Sequence, residues 1–368
     1  MKVDIGLKML LKSNIKLKFY NLKKNNSIIE WLKSNNISYI SNFDIKKKSW
    51  LKAGGTAELV IYPNKIDDAI KTVKYFIDEN INFYPIGNFS NTIFRDGTIE
   101  TPLINLKNII DPILELKNEN KENLYFKVSS GLSLFKYVNF IQNSYKITGQ
   151  EGLIGIPGTV GGAIYTNASS YGSCISDFLI KIEFIDKSGN LVILNKKETQ
   201  FGWRKSIFHE MEKFLILNIY FSFPKKNVES ENQINNKISY IKSHRQKYQE
   251  NKLPNLGSLY ATKNLYKDLS KITLPLFLLY GLYILGTKTT YIFFNEDKLL
   301  KLRRFICKLY CIYFKINDLN FSLSEKTINC LVNKGSDSSS KAFELVEKLE
   351  LKIKKKINLE NIILKNIK

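Results

Sequence analysis

The sequence predicts an α/β fold spread over two or three domains. An apolar β-branched run ends at Pro63, helically spaced apolar positions fill 67–80, and 83–87 has the pattern of a second strand. With 368 residues, the chain is long enough to bury a sizeable core in more than one domain. A run rich in Gly and other small residues follows at 155–172. This order of elements indicates an α/β architecture.

The same two periodicities predict the remaining elements. Further strand-like runs lie at 103–106 and 124–128, and a hairpin is expected around Lys187–Gly189. Helices are predicted at 27–34, with Ser27 as the N-cap, and at 132–143, 234–248 and 342–355.

The run 155–172 carries one Pro and almost no charge. In a chain so rich in Lys, we do not expect such a run to be an ordinary solvent loop. Its bare backbone allows N–H groups to approach a ligand closely, so we favour a cradle for a pyrophosphate or a similar polar group. A glycine-rich turn between two strands is the alternative interpretation.

The composition favours an anionic partner over nucleic acid. The formal net charge is +22, and only five of the 56 basic residues are Arg. No zinc-finger, helix-turn-helix or RNA-binding motif accompanies this charge, so we expect no nucleic-acid partner. A basic surface does favour an anionic small-molecule substrate such as a UDP-sugar or NADPH.

The few His and Cys residues argue against several kinds of site. The chain has four Cys, none in a CxxC pair, and two His. We therefore expect no metal site, no disulfide framework and no Ser-His-Asp triad. The N-terminal residues alternate Lys with apolar residues and show no signal peptide, so the expected location is the cytoplasm.

The run GIPGTVGGAIYTNASSYG at 155–172 resembles the signature loop of the UDP-N-acetylenolpyruvoylglucosamine reductase (UDP-N-acetylmuramate dehydrogenase) family. The resemblance extends from about Asn42 to the C-terminus, most strongly over 50–210. It implies a flavoprotein oxidoreductase of peptidoglycan precursor synthesis, and so of cell wall biogenesis, cell shape and cell division. In that family NADPH reduces FAD, and the reduced cofactor then reduces the enolpyruvyl group of a UDP-sugar.

The resemblance also implies a domain organisation. It predicts a two-part FAD-binding domain of the vanillyl-alcohol oxidase and p-cresol methylhydroxylase (PCMH) type, followed by a C-terminal α+β substrate domain. We expect the chain to act as a monomer. The predicted boundaries are an N-terminal extension at 1–38, the FAD-binding domain at 39–225 with subdomains 39–102 and 103–225, and the substrate domain at 226–368 with a divergent or inserted segment at 266–318.

Cofactor-binding residues are carried over from the matching motifs. The turn before the first flavin-domain strand contributes Gly54. The family has three Gly before Ser-Asn, and here Asn88 and Phe89 follow Gly87 instead. The predicted FAD-binding set is Gly54, Gly87, Asn88, Ser90, Asn91, Gly155, Ile156, Pro157, Gly158, Thr159, Gly161, Gly162, Ala163 and Asn167.

Three catalytic residues are implied in the same way. Arg204 falls on the family's catalytic Arg, and Ser258 falls on the Ser that donates a proton to the substrate. Ile362 stands where the family has its catalytic Glu, so Glu360 takes that role only if the chain shifts by two residues. Trp203, Tyr171 and Tyr260 are predicted to bind the substrate.

Two alternatives for the function remain open. Besides the reductase, the chain could be a flavoprotein of the same fold that acts on another nucleotide-sugar in surface-polysaccharide synthesis. The second alternative is a catalytically degenerate flavin-binding protein. The segment 266–318 is interpreted as two core elements of the third domain. Contact of this segment with a membrane surface or a partner is the less favoured interpretation.

Overall fold

A computed structural model describes residues 25–116, 122–227, 229–285, 296–316 and 318–364. The first sheet forms around the β-branched run before Pro63. The elements of this part of the chain are α1 (25–34), β1 (Ser38–Asp44), α2 (Ile45–Lys48), β2 (Thr56–Tyr62), α3 (Ile66–Asp78), β3 (Tyr84–Pro85), β4 (Thr92–Phe94), β5 (Thr98–Ile99) and β6 (Leu103–Ile104). All of these strands except β4 belong to the first sheet. β1 pairs antiparallel with β2, whereas β5 and β6 pair with β2 in parallel, and β3 pairs in parallel with β6. The predicted β-α-β order is confirmed, although the strand expected at 83–87 is only two residues long.

Helix α1, which the sequence predicts at 27–34, packs against the first sheet. Its side chains Ile28 and Leu32 are buried in one hydrophobic cluster with Leu59 of β2. The predicted N-cap Ser27 lies inside this helix, since residue 25 is already helical. Of the extension predicted at 1–38, residues 1–24 lie outside the described residues. The rest packs as part of the first core.

The second sheet follows the next group of apolar runs. Its elements are β7 (Ile113–Leu116), β8 (Asn123–Ser129), α4 (Leu134–Tyr145), α5 (Val160–Tyr165), the short pair β9 (Ser169–Ser170) and β10 (Ser173–Cys174), β11 (Leu179–Ile185), β12 (Leu191–Asn195) and β13 (Leu215–Pro224). The strand order is β12-β11-β13-β8-β7, with every pair antiparallel. The hairpin expected around Lys187–Gly189 is confirmed as the β11–β12 connection.

The C-terminal part is mainly helical and ends in a strand that pairs with β4, outside the first sheet. Its elements are α6 (Glu231–Tyr248), α7 (Leu265–Ser270), α8 (Leu274–Ile284), α9 (Glu296–Tyr313), β14 (Phe321–Leu323), β15 (Leu331–Asn333), α10 (Ser340–Lys352) and β16 (Ile362–Leu364). A capping box between Ser230 and Gln233 begins α6. β16 pairs in parallel with β4, and Ile362 lies opposite Thr92. The residues just before β16 therefore lie next to the loop at 87–91. The mixture of sheets and helices confirms the predicted α/β class, and the domain boundaries stay predictions.

The divergent segment 266–318 contributes one buried face and one exposed face. Leu276 of α8 and Tyr310 of α9 lie in the C-terminal core. Leu274 and Leu278, in contrast, are 70% and 59% exposed. Pro275 lies in the first turn of α8, where its missing N–H costs nothing, so it begins the helix and does not break it. Within the described residues, the helices are all too short or too polar to cross a bilayer.

Candidate active site

Two loops, the first at 87–91 and the second at 155–162, line a cavity of about 1760 Å³. The amide Nδ2 of Asn88 in the first loop donates to the carbonyl of Gly158 in the second, at 3.0 Å. A Cβ on Gly87 would lie 2.8 Å from Oγ1 of Thr159, so glycine is required there for the loops to approach. The cavity is larger than one small ligand fills, which suits a cofactor and a substrate together.

The first loop offers bare backbone to this cavity. Within the described part of the chain, the N–H groups of residues 87–90 donate to no acceptor. Ser90 lies across from Gly158, with its Oγ 3.8 Å from where a Cβ on that glycine would be. Successive free N–H groups and a hydroxyl are the donors that a diphosphate needs. These donors therefore fit the diphosphate of FAD.

Phe89 shows how the first loop tolerates the loss of a glycine. Its φ is +54°, a left-handed conformation that disfavours a bulky residue. The side chain is nonetheless buried, with its ring centroid 5.4 Å from that of Phe43 and 5.8 Å from that of Phe94. Burial of an aromatic ring is worth a few kcal/mol and outweighs the roughly 1–2 kcal/mol of backbone strain. The substitution therefore keeps the turn and anchors it in the core.

Arg204 projects into the cavity from a tight turn. The N–H of Gly202 donates to the carbonyl of Lys205 at 2.9 Å, and Arg204 has a φ of +54°. The turn is held from both sides: Nδ2 of Asn167 donates to the carbonyl of Gly202 at 2.9 Å, and Oγ of Ser206 donates to the carbonyl of Tyr165 at 2.6 Å. This left-handed residue is held by its surroundings, as is common at active sites.

Glu360 lies directly against Arg204. The Nε of Arg204 is 3.3 Å from Oε1 of Glu360, and the two side chains are 17% and 15% exposed. The backbone N–H of Glu360 donates to the carbonyl of Leu259 at 2.8 Å. The structure thus brings together Arg204 and the carboxylate two residues before the family position. Ile362 instead pairs with Thr92 in the β16–β4 ladder.

A buried asparagine places Ser258 beside this ion pair. Nδ2 of Asn361 donates to Oδ1 of Asn91 at 2.7 Å and to the carbonyls of Leu256 and Ser258 at 3.2 and 3.1 Å. Asn91 in turn donates through Nδ2 to the carbonyl of Glu360 at 3.1 Å. Ser258, Glu360 and Arg204 all line the cavity, so the three predicted catalytic residues share one site.

Burial raises the pKa of Glu360 to about 7, and the positive charge of Arg204 opposes that rise. Near neutral pH the carboxyl group is therefore present in both protonation states. A group with this pKa is suited to holding or releasing a proton during catalysis.

The other predicted site residues divide into two groups. The cavity is lined by Gly87, Asn88, Ser90, Asn91, Gly155, Ile156, Pro157, Gly158, Thr159, Gly161, Gly162 and Ala163. Gly54, Asn167, Tyr171, Trp203 and Tyr260 do not line it. Ligand contacts for these five stay predictions.

These five side chains or backbone groups are engaged in packing and bracing. The N–H of Gly54 donates to the carbonyl of Asp337, and Asn167 supports the Arg204 turn. The hydroxyl of Tyr171 lies 2.7 Å from Nδ1 of His244. Trp203 is 49% exposed, and Tyr260 is 3% exposed within the C-terminal core.

Sequence reasoning missed two arginines of the same cavity, Arg245 of α6 and Arg303 of α9. Both belong to the five arginines of this lysine-rich chain. A guanidinium offers planar, paired donors that an ammonium lacks, so the scarce Arg positions were a usable signal for anion-binding groups. Three of the five Arg residues line the cavity once Arg204 is included.

Comparison with known proteins decides the family. A model of the FAD binding domain family matches residues 57–195. The UDP-N-acetylenolpyruvoylglucosamine reductase of Caldanaerobacter subterraneus subsp. tengcongensis is 31% identical over 219 residues, which make up 60% of this chain and 68% of that protein. The chain belongs to the UDP-N-acetylenolpyruvoylglucosamine reductase family. The member from Rickettsia prowazekii is 35% identical over 169 residues, 45% of this chain and 54% of that protein.

The fold of the reductase family extends over most of the chain. The crystal structure of UDP-N-acetylenolpyruvylglucosamine reductase from Thermus caldophilus superposes with a TM-score of 0.59, at 18% identity, and covers 89% of this chain and 98% of that one. The predicted family and the predicted fold are both confirmed. Family membership and the FAD binding domain together make the chain an FAD-dependent oxidoreductase.

Proposed function

We propose that this chain reduces UDP-N-acetylenolpyruvoylglucosamine to UDP-N-acetylmuramate, with NADPH as reductant. The observation that carries the proposal is the Arg204–Glu360 ion pair at 3.3 Å. This pair lines the same cavity as the two loops at 87–91 and 155–162. This pair supplies a fixed cation for the substrate's carboxylate and a carboxyl group with a pKa of about 7. The second sheet and the C-terminal part thereby contribute to a single reaction site.

FAD would be held by the free N–H groups of 87–90, by the hydroxyl of Ser90 and by the second loop around Gly158. When bound, it supplies the hydride chemistry of the reaction. The protein's own contribution is to bind, orient and manage charge and protons.

Each of the three catalytic candidates has a distinct task. Arg204 binds the enolpyruvyl carboxylate and stabilises the negative charge that develops during reduction. When that carboxylate binds, it competes with Glu360 for Arg204, which favours the protonated form of Glu360. Ser258 donates its Oγ proton to the substrate carbon, and Glu360 stabilises the charge beside it. These roles are proposals that the shared site supports.

The remaining partners follow from the same proposal. The substrate is a UDP-sugar, and the chain acts as a cytoplasmic monomer without nucleic acid in peptidoglycan precursor synthesis, cell wall growth, cell shape and division. Its four thiols fit a reducing compartment. Contact of the 266–318 segment with a membrane stays the less favoured interpretation, and the domain boundaries at 38, 102 and 225 are proposed with the amendment that 25–38 joins the first core.

The test is the absorption spectrum of the purified protein under anaerobic conditions. We expect a flavin spectrum that bleaches on addition of NADPH and recovers on addition of the enolpyruvyl substrate. Bleaching without recovery would point to another nucleotide-sugar as substrate. Bound flavin whose spectrum is restored by none of the enol ethers tested would identify a binding protein. A chain that takes up no FAD after reconstitution would overturn the enzyme proposal.

Asn167 offers a test of how Arg204 is positioned. We expect Asn167→Ala to lower kcat by about tenfold, because losing one hydrogen bond of roughly 1–1.5 kcal/mol loosens the Arg204 turn. The affinity for FAD, measured by flavin fluorescence on the apoprotein, should stay within about twofold. A large loss of FAD affinity with little change in kcat would instead support Asn167 as a cofactor-binding residue.

A further inference from the structure

The C-terminal helical segment supplies part of the cavity wall. Arg303 of α9 and Tyr283 of α8 line the same cavity as Arg204 and Ser258. Both lie within 266–318, the stretch whose sequence departs most from the family pattern. Its buried side therefore does more than fill the C-terminal core.

Arg303 is held in place by an aromatic ring and has its donors free. Its guanidinium carbon lies 4.8 Å from the ring centroid of Tyr248, which also lines the cavity. Among the described residues, no carboxylate or carbonyl accepts a hydrogen bond from Arg303. A half-buried guanidinium stacked on a ring, with its fork of N–H groups unused, is arranged to bind an anion.

Further positive charge surrounds this position. Arg245 lines the cavity one turn before Tyr248, and its guanidinium carbon lies 5.0 Å from the ring centroid of Tyr171. Its terminal nitrogens are occupied by Gln249, by the carbonyl of Gly152 and by Ser170. Arg245 therefore contributes charge to the wall and leaves direct binding to Arg303.

The pKa of His244 reflects the positive charges on this part of the cavity wall. Burial lowers its pKa, and the charges of Arg303, Lys247 and Arg245 lower it further. The groups packed against its ring are Tyr171, Tyr240 and Tyr248, with no carboxylate among the charges that shift it. The charges that act on His244 are therefore all cations, whereas the carboxylates of Glu250 and Glu360 line the same cavity.

We propose that Arg303, backed by Arg245 and Tyr248, binds the diphosphate of the nucleotide ligand at this wall. The chemistry fits a nucleoside diphosphate, since the rings offer apolar faces to a base and the free guanidinium offers paired donors to phosphate oxygens. Two ligands of the proposed reaction carry that group, the UDP-sugar and NADPH. The identity of these ligands rests on the proposed function, but the anion-binding wall does not.

The experiment compares Arg303→Gln with Arg304→Gln in the FAD-loaded protein. Arg304 is the adjacent arginine, is exposed and does not line the cavity, which makes it a matched control for charge. Calorimetric titration with UDP, NADP⁺ and inorganic pyrophosphate gives the three affinities. We expect Arg303→Gln to weaken UDP binding by about tenfold, Arg304→Gln to change it less than twofold, and pyrophosphate to compete with UDP.

The arms separate the two ligand sources. A loss confined to UDP assigns the wall to the nucleotide-sugar, and a loss confined to NADP⁺ assigns it to the dinucleotide; either supports the proposal. Equal and small effects of both variants on all three probes would overturn it. Arg303→Lys, which keeps the charge, should recover part of the affinity and guards against a folding defect in Arg303→Gln.

A second readout uses the wild-type protein alone. The chain contains only two histidines, so a ring NMR titration resolves His244 against His209 as an internal control. Binding of UDP at the wall should raise the pKa of His244 and leave that of His209 in place, because a nearby anion stabilises the imidazolium. A pKa of His244 that moves neither at saturating UDP nor at saturating NADP⁺ would contradict anion binding at this wall. UDP binding at this wall without reductase turnover would overturn only the proposed function. Normal turnover with UDP and NADP⁺ affinities that Arg303→Gln leaves unchanged would overturn only this proposal.

Discussion

Replacing Glu360 with Gln is expected to lower kcat of the overall reaction by about 100- to 1000-fold. The amide keeps the size of the side chain but cannot hold or release a proton, and it removes the charge beside Arg204. Bleaching of the flavin by NADPH should proceed at the wild-type rate, whereas recovery with the substrate should be slow. Stopped-flow measurement of the two half-reactions separates these outcomes.

The pH dependence follows from the pKa of Glu360, which burial raises to about 7. The protonated form is the one that stabilises negative charge on the substrate, so the wild-type recovery rate should fall as the pH rises through about 7. The residual rate of Glu360→Gln should show no such step. A wild-type profile that is flat between pH 6 and 8 would contradict a proton-holding role for Glu360.

The same pKa shift predicts that Glu360→Gln stabilises the fold at high pH although it lowers activity. A carboxyl group whose folded-state pKa lies above its unfolded value of about 4.5 makes the native state lose stability as the pH rises from about 4.5 to about 7. Above pH 7 the buried charge costs on the order of 2–3 kcal/mol. Glu360→Gln should therefore melt above the wild type at pH 8 and close to it at pH 5. This distinguishes lost chemistry from lost folding.

A double variant tests whether the catalytic carboxylate belongs at position 360 or at position 362. The double variant Glu360→Gln, Ile362→Glu moves the carboxylate to the position where the family has it. We expect no rescue, because the backbone of Ile362 is fixed in the β16–β4 ladder by its N–H bond to the carbonyl of Asn91 at 2.9 Å. Recovery of activity by the double variant would show that the catalytic carboxylate belongs at 362 and that Glu360 only stands near it.

Local patterns in the sequence sufficed for the elements and for the loops. The 3.6-residue spacing predicts α3, and the long glycine motif predicts the cavity-lining loop, because both depend on residues close together in the chain. The Arg204–Glu360 pair depends on contacts 156 residues apart, set by a parallel strand pairing at the C-terminus. No periodicity encodes that pairing, so the sequence could only offer Glu360 as a shifted candidate.

The predicted site residues that lie away from the cavity lining share a physical reason. Tyr260 and Asn167 stand at the positions of the family motifs. The side chain of Tyr260 packs in the C-terminal core, and that of Asn167 donates to the carbonyl of Gly202 in the Arg204 turn. Phe89 shows the reverse case: a residue unsuited to its backbone conformation is retained because its ring is buried in the core. Motif position predicts proximity to a site, whereas the direction of a side chain depends on the tertiary packing around it.

Gly158→Val is expected to abolish FAD binding while leaving the fold intact. The only atom within 4 Å of a Cβ built on Gly158 is Oγ of Ser90, at 3.8 Å, so the described protein accommodates the new side chain. That space is the gap between the two loops where the diphosphate of FAD is proposed to lie. We expect flavin content, measured as absorbance at the flavin band per protein, to fall more than tenfold, with the melting temperature of the apoprotein nearly unchanged.

The controls for Gly158→Val distinguish a filled gap from a damaged framework. Gly281→Ala adds a methyl group within helix α8, where no described atom beyond the chain neighbours and the local helix backbone lies within 4 Å. This variant should keep full flavin content while stabilising the fold by about 0.5–1 kcal/mol. Gly87→Ala places its Cβ 2.8 Å from Oγ1 of Thr159, so the loops themselves must move and both flavin content and stability should fall. If Gly158→Val retains full flavin content, the diphosphate does not pass between these loops. The cofactor would then have to bind elsewhere along the cavity, because a valine side chain and a diphosphate cannot share that gap.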